Sequence, residues 1–550
     1  MSVVPARSVF AENNSTRSFD YYIRDAVVYD GVALQGEKKD VGILGDKITF
    51  VGKLENFHAY ETIQAKGLIL APGFIDAHTH SDFNPIVYPG LTNKVEQGVT
   101  TEVIGNCGMS AAPILGAHGR RIQTIWAREG VNIPAQLPWK TFEEYGEKLD
   151  RWGMRTNLVG LIGHGNLRSA VMGMDSRPAS ETEISEMKKM LRSAMREGAY
   201  GISFGLVYLP GIYAQRKEII ALCEEAGKHL GVCAFHMRSE GAQLLEAIEE
   251  VIDIGTITRS PIQISHLKAG GKANWGKIEQ AFILIEQARI RGVKIAADAY
   301  PYNAGYAELG AILPSELYER KDRNAYFKNI LKRKELLETL RKYDEEGTFR
   351  WESVMIASTH VEAYQRYEGM TLKQAALKSK TEPEKFLIDI LADTNFEVSA
   401  FYFSQSDEVV QKVGRQSYVA LGSDSIADGT RRPHPRAFGT FPKFIRTFVR
   451  ENKEVSLGEA IRKMTSLPAD HFGLENRGRI EEGYFADLVL FDAGKIKDKA
   501  TYTKPVQTNQ GIEWVFINGR PALREGAPVA EKYGRLLHNQ WIVPERKKPV

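Results

Sequence analysis

Between residues 68 and 422 the chain alternates short apolar runs with helical segments. The apolar runs are Leu68–Ile75, Thr101–Ile104, Thr156–Ile162, Ala199–Phe204, Gly231–Phe235, Pro261–Ser265, Val293–Ala297 and Tyr418–Gly422. Segments with helical patterning, such as Glu181–Glu197 and Arg216–His229, lie between them. Alternation of this kind implies parallel βαβ units. Eight strand–helix repeats predict a closed (β/α)8 barrel, an α/β fold of the TIM-like type.

The two ends read differently. Asp20–Tyr29 mixes polar residues with strand-forming types and breaks at Asp30-Gly31. Val41–Gly52 reads as a hairpin turning at Gly45-Asp46. Gly483–Asp492 and Ile512–Gly519 repeat the style near the C-terminus. A small β-sandwich domain built from residues 18–67 and 480–545 is expected, with the barrel over 68–479. Residues 307–403 are too long for one connection. They are charged and partly helical, so they read as an inserted α-rich segment carrying Ser353–Ala357 as an extra strand. Residues 1–17 read as a tail; a leader remnant is the alternative, on a faint Val9-Phe10-Ala11 without a preceding apolar core.

Composition narrows the function. Hydrophobic residues make up 43% and charged residues 26%, the profile of a soluble globular protein. Lys and Arg number 72 against 69 Asp and Glu, and a net +3 gives no reason to expect a nucleic-acid partner. No apolar stretch is long enough to span a bilayer. Three cysteines, Cys107, Cys223 and Cys233, are too few for a disulfide framework and favour a reducing compartment, the cytoplasm; a leader remnant would instead imply the periplasm or secretion.

Candidate ligands stand at the ends of the apolar runs. The first run ends at His78 and His80, which project from one face of an extended strand. The second ends in Gly105-Asn106-Cys107-Gly108, the fifth at His236, the sixth at His266 and the eighth at Asp424. Strand C-termini form the active face of such barrels, so these residues converge there. Imidazoles, a thiolate and a carboxylate suit zinc. Zinc acidifies a bound water and polarises a carbonyl, and Asp424 is placed to act as acid and base. Cys107 reads as a metal thiolate, a nucleophile or a small buried filler, with the assembled histidines favouring the first. Cys223 and Cys233 read as core. Lys268, Tyr300 and Arg436 are candidates for a substrate carboxylate, with Arg431 and Arg432 competing for the arginine's place. His164 follows the third run and receives no sharper role.

Together these segments resemble the amidohydrolase superfamily, and more closely its N-acyl-D-amino-acid deacylases. The resembling stretches are Pro72–His80, Gly105–Pro113, Ile162–Arg168, Phe235–Gly241, Ser265–Gly276, Asp298–Tyr302, Gly422–Asp424 and His434–Pro442. The resemblance implies a tightly held zinc on Cys107, His236 and His266. It implies a weaker second site on His78 and His80 with the same cysteine. It makes Asp424 the catalytic aspartate, and it gives the substrate carboxylate to Lys268, Tyr300 and Arg436. In one place the chain departs from the pattern: Ser265-His-Leu-Lys268 stands where relatives read Ser-His-His-Lys. The segment Ile426–Arg432 is also unusual, which implies altered specificity.

The expected protein is a zinc amidase acting on a small N-acylated amino acid, with the D preference implied by resemblance alone. A homo-oligomer is possible. The rivals are a cyclic-amide hydrolase of the hydantoinase or dihydroorotase kind, a deaminase, and a catalytically dead barrel used for assembly. A dead barrel would be expected to lack a ligand or the aspartate, yet His78, His80, Cys107, His236, His266 and Asp424 are all present.

Overall fold

The computed structural model describes residues 17–114, 137–313, 317, 322–345, 350–426 and 432–539. Its centre is a ring of eight parallel strands: β1 Phe74–Asp76, β2 Val99–Ile104, β3 Asn157–Gly163, β4 Gly201–Gly205, β5 Val232–His236, β6 Ile262–Ile264, β7 Ile295–Ala299 and β8 Val419–Leu421.

 The seventh of these, Ile295–Ala299, pairs with β6 on one side and β8 on the other. β2 to β6 are buried at every position, as strands covered on both faces must be. Each of the eight predicted runs supplies one barrel strand.

The ring closes between β8 and β1. Ala77 donates its N–H to Leu421 O at 3.0 Å, Asp424 donates to His78 O at 2.7 Å, and Thr79 bridges Ser425. A buried polar knot locks this seam. The Asp76 carboxylate accepts from Ser423 N at 2.7 Å and Ser423 Oγ at 2.6 Å, and it is paired with Lys94. Helices wrap the ring. Glu181–Arg196 starts with a capping box in which Ser180 and Glu183 satisfy each other's backbone N–H groups. Its buried Ile184, Met187, Leu191, Ala194 and Met195 join the core packed between ring and helices.

A separate mixed sheet comes from both ends of the chain. Its strands include Arg17–Val28, Glu37–Leu44, Lys47–Gly52, Phe57–Gln64, Ile69–Pro72, Leu488–Phe491, Ile512–Ile517 and Arg520–Arg524. The predicted hairpin turns at Gly45, whose φ of +62° suits glycine. The predicted first run, Leu68–Ile75, is not one strand. Ile69–Pro72 belongs to the mixed sheet, where it pairs with Leu488–Phe491, and only Phe74–Asp76 enters the barrel. Gly73 makes the handover: its N–H bonds Asp487 O, and a Cβ there would lie 2.3 Å from the Thr100 side chain.

The inserted segment forms a three-stranded antiparallel sheet, Gly305–Glu308, Val354–Thr359 and Val398–Tyr402, with the last in the middle. The expected extra strand is therefore present but is one of three. Helices such as Leu372–Ser379 and Pro383–Asp393 cover it, and it has its own core around Phe327, Leu387, Phe396 and Ala400. The expected tail lies outside the described residues except Arg17, which opens a strand. No helix among the described residues is long and apolar enough to cross a membrane.

Candidate metal centre

The candidate ligand residues occupy strand ends and turns at the C-terminal mouth of the barrel. His78 and His80 follow β1, with ring centroids 5.4 Å apart. Cys107 follows β2 with a φ of 53°, between Gly105 and Gly108 at +76° and +75°. A Cβ at Gly105 would sit 2.0 Å from Leu161 O, and one at Gly108 2.6 Å from Gly205 N. Only glycine fits either place, and the tight loop they permit points the thiol inward. His236 ends β5. His266 and Asp424 follow β6 and β8 with φ of 37° and 49°. Positive φ is uncommon outside glycine. Its recurrence at Cys107, His266 and Asp424 marks a backbone bent to bring donors together.

The donors form two groups that share one atom. His78, His80, Cys107 and Asp424 place ligand atoms within 4.8 Å of one another, and so do Cys107, His236 and His266. Cys107 Sγ lies 3.4 Å from His78 Nε2 and 3.5 Å from His266 Nε2. Asp424 Oδ1 lies 3.4 Å from His78 Nε2 and 3.3 Å from His80 Nε2. Tetrahedral zinc, with bonds near 2.0–2.3 Å, sets its donors about 3.3–3.6 Å apart. The separations match those edges, so the residues fit zinc, with Cys107 as the shared vertex.

The charges agree with that fit. The Cys107 thiol is held well below its ordinary value: burial would raise it, but His78, His266 and His236 outweigh burial. Burial would lower the histidines, yet His80 is pushed up to about 9 by Asp424 and Cys107. His266 is likewise pushed up to about 9: burial and Lys268 would lower it, and Glu240 and Cys107 outweigh them. Burial would raise the Asp424 carboxyl, but Arg436, His80 and His78 hold it well below the usual range.

Lys268, Tyr300 and Arg436 are all buried and meet beside Asp424. Arg436 Nη1 lies 2.8 Å from Asp424 Oδ2. The Arg436 guanidinium lies 4.7 Å from the Tyr300 ring centroid, and Lys268 Nζ lies 5.9 Å from it. Arg432 instead donates to Thr503 O at 3.2 Å, and Arg431 lies outside the described residues. Leu267, the departure from the family pattern, is buried and bonds Asp298 O through its N–H. His164 is tied to Glu218 at 2.8 Å, in a buried cluster with Arg168. Cys223 and Cys233 are buried, as core residues are.

Three residues of the site escaped the sequence reading. Asp298, inside β7, lies 3.2 Å from His78 Nδ1 and accepts from His266 N and Gln263 Nε2, each at 2.8 Å. Glu240 lies 2.6 Å from His266 Nδ1. The Tyr208 ring packs edge-on against His236 with centroids 4.8 Å apart. Nδ1 of His80 and of His236 has no hydrogen-bond partner among the described residues. The available signal was position: Asp298 is the penultimate residue of a barrel strand, and Glu240 follows the candidate ligand His236 by four residues.

A parallel barrel whose strand ends gather imidazoles, a thiolate and a carboxylate around one mouth defines a metal-dependent hydrolase fold. The model of the Amidohydrolase family matches residues 61–348 and 403–522, and the chain belongs to that family. D-aminoacylase of Alcaligenes xylosoxydans xylosoxydans is 33% identical over 528 residues, spanning 95% of this chain and 98% of its own. The crystal structure of N-acyl-D-glutamate deacylase from Bordetella bronchiseptica, complexed with zinc and a phosphonate mimic of the tetrahedral intermediate, superposes with a TM-score of 0.80. It is 28% identical and covers 95% of this chain and 100% of its own. A D-aminoacylase structure with a binuclear metal centre has a TM-score of 0.79 at 33% identity, covering 94% of this chain and all of its own. Hydantoinases, at 13–16% identity, share the fold alone.

Proposed function

We propose that this protein is a zinc-dependent amide hydrolase that deacylates N-acyl-D-amino acids to a carboxylate and a free D-amino acid. The observation that carries the reading is Asp424: one oxygen faces His78 and His80, and the other faces Arg436. The metal-ligand groups and the cationic side of the site thus meet at one carboxylate.

In this reading Cys107, His236 and His266 hold the tight zinc. His78 and His80, with Cys107 and Asp424, form the second site. Zinc held by Cys107, His236 and His266 would supply Lewis acidity towards the amide carbonyl and acidify water. Asp424 is ionised and oriented by Arg436, so it takes the proton of the attacking water through one oxygen. Protonated, it delivers that proton to the leaving nitrogen. Lys268, Tyr300 and Arg436 receive the α-carboxylate of the substrate. Their burial makes each charge-assisted hydrogen bond to it strong. Replacing Lys268 with Met should raise KM by about ten- to a hundredfold, the worth of one such bond, with zinc content unchanged.

The deciding assay is release of free amino acid from matched N-acetyl-D and N-acetyl-L substrates by zinc-loaded protein. A panel of methionine, leucine, phenylalanine, glutamate and aspartate reports the side-chain preference. Release from the D series alone is expected. Release from the L series alone, or from neither with zinc bound, would overturn the reading.

A further inference from the structure

Glu240 stands in the loop after β5, between the metal-ligand His266 and the neighbouring Lys268. Its Oε1 lies 2.6 Å from His266 Nδ1 and 2.6 Å from Lys268 Nζ. Lys268 Nζ also lies 2.8 Å from His266 Nδ1. The Glu240 backbone joins in: its carbonyl accepts from Gly270 N at 2.6 Å, tying the loop after β5 to the loop after β6.

These three contacts set up a competition at one nitrogen. If His266 Nδ1 carries the proton, it donates to Glu240, and the lone pair on Nε2 faces Cys107 Sγ, 3.5 Å away, where the metal belongs. If Lys268 donates to Nδ1, a neutral imidazole must carry its proton on Nε2 and has no lone pair for a metal. The carboxylate decides between them. Its Oε1 accepts from the ammonium and stands as close to Nδ1, so it competes with Nδ1 for the lysine's protons.

We propose that Glu240 is the positioning residue that couples the metal centre to the carboxylate-binding side of the site. It fixes the metal-binding tautomer of His266 and, with the same oxygen, the place of Lys268. Carboxylates behind metal-bound histidines have this effect elsewhere, and their loss costs about 10–100-fold in metal affinity. Here the lysine which would spoil the tautomer is also the lysine offered to the substrate. The second half of the proposal rests on the function given above; the first half does not.

The test is Glu240→Gln, which keeps the shape and removes the charge, with zinc affinity read by competition against a chromophoric chelator. Affinity should fall about 10–100-fold. In the Lys268→Met background the competing donor is gone, so the same change should cost at least fivefold less. At saturating zinc, kcat on N-acetyl-D-amino acids should stay within about threefold of the parent while KM remains raised. Should Glu240→Gln fail to fold, Glu240→Asp carries the same readouts: its carboxylate is one methylene short, and zinc binding should still weaken. Zinc affinity within twofold of the parent, or equal losses with and without Lys268, would overturn the proposal. If the unaltered protein releases no amino acid from any substrate, the deacylase reading fails, while the zinc measurements still decide the role of Glu240.

Discussion

Removing the Cys107 thiol is the sharpest perturbation of the metal centre. Cys107 is the one residue common to both ligand groups, so Cys107→Ala strikes both. Alanine keeps the Cβ, so the turn at φ 53° meets no new steric demand and the loop between Gly105 and Gly108 should persist. Apparent binding energies of about 10–16 kcal/mol for four-ligand structural zinc sites average roughly 2.5–4 kcal/mol per ligand. The thiolate is already ionised by its histidine neighbours, so little of that is spent on deprotonation. Loss of the tight site's thiolate should weaken zinc by about 10²–10³-fold. The assay is zinc content by mass spectrometry after dialysis against a graded chelator series, paired with thermal melting of the metal-free protein. Zinc should leave at lower chelator concentration while the metal-free melting temperature stays close to that of the parent. Zinc retained with affinity within threefold of the parent would refute the thiolate's place in the site. Cys107→Ser should resemble the alanine variant, because a hydroxyl stays protonated where the thiol does not.

Zinc uptake should be pH-dependent, because His80 and His266 are pushed up to about 9 in the metal-free protein and bind metal only when deprotonated. Affinity should rise from pH 7 to 9 and level off above, with protons released on binding; calorimetry in buffers of different ionisation enthalpy measures this, and a flat affinity over that range would contradict it. Asp424→Asn should lower kcat by about 10²–10⁴-fold while the tight zinc, whose proposed ligands exclude Asp424, remains at parental content. Retained turnover in that variant would remove the acid–base role. Gly105→Ala should destabilise the fold by about 2–4 kcal/mol, combining a positive φ with a Cβ 2.0 Å from Leu161 O; chemical denaturation reads this, and a loss under 0.5 kcal/mol would refute the close approach.

The barrel was legible because its strands are short apolar runs separated by helical stretches, a period that survives without tertiary information. The candidate ligands stood out for a related reason: each stands where such a run stops. Gly73 hides a change of sheet inside one apolar run, since both partners of that run demand the same residue types. Glu240 and Asp298 were harder still. A glutamate in a polar loop reads as a solvated charge, and only the packing of β5 against β6 brings it onto His266. Asp298 reads as a strand-end turn residue until the closed ring places it behind His78, 220 positions away. The inserted sheet escaped because the central strand, Val398–Tyr402, pairs with two partners distant in sequence.

The seam between β8 and β1 has a consequence for how the protein is made. His78 and Asp424 are joined by a backbone hydrogen bond, yet hundreds of residues of synthesis separate them. Contacts so distant in sequence carry a large loop-closure cost and form late. Cys107, His236 and His266 all precede β8 in the chain. The second group has its aspartate only after β8. In the proposed assignment the tight zinc group is thus complete in sequence before the last barrel strand, and the proton carrier comes only with that strand.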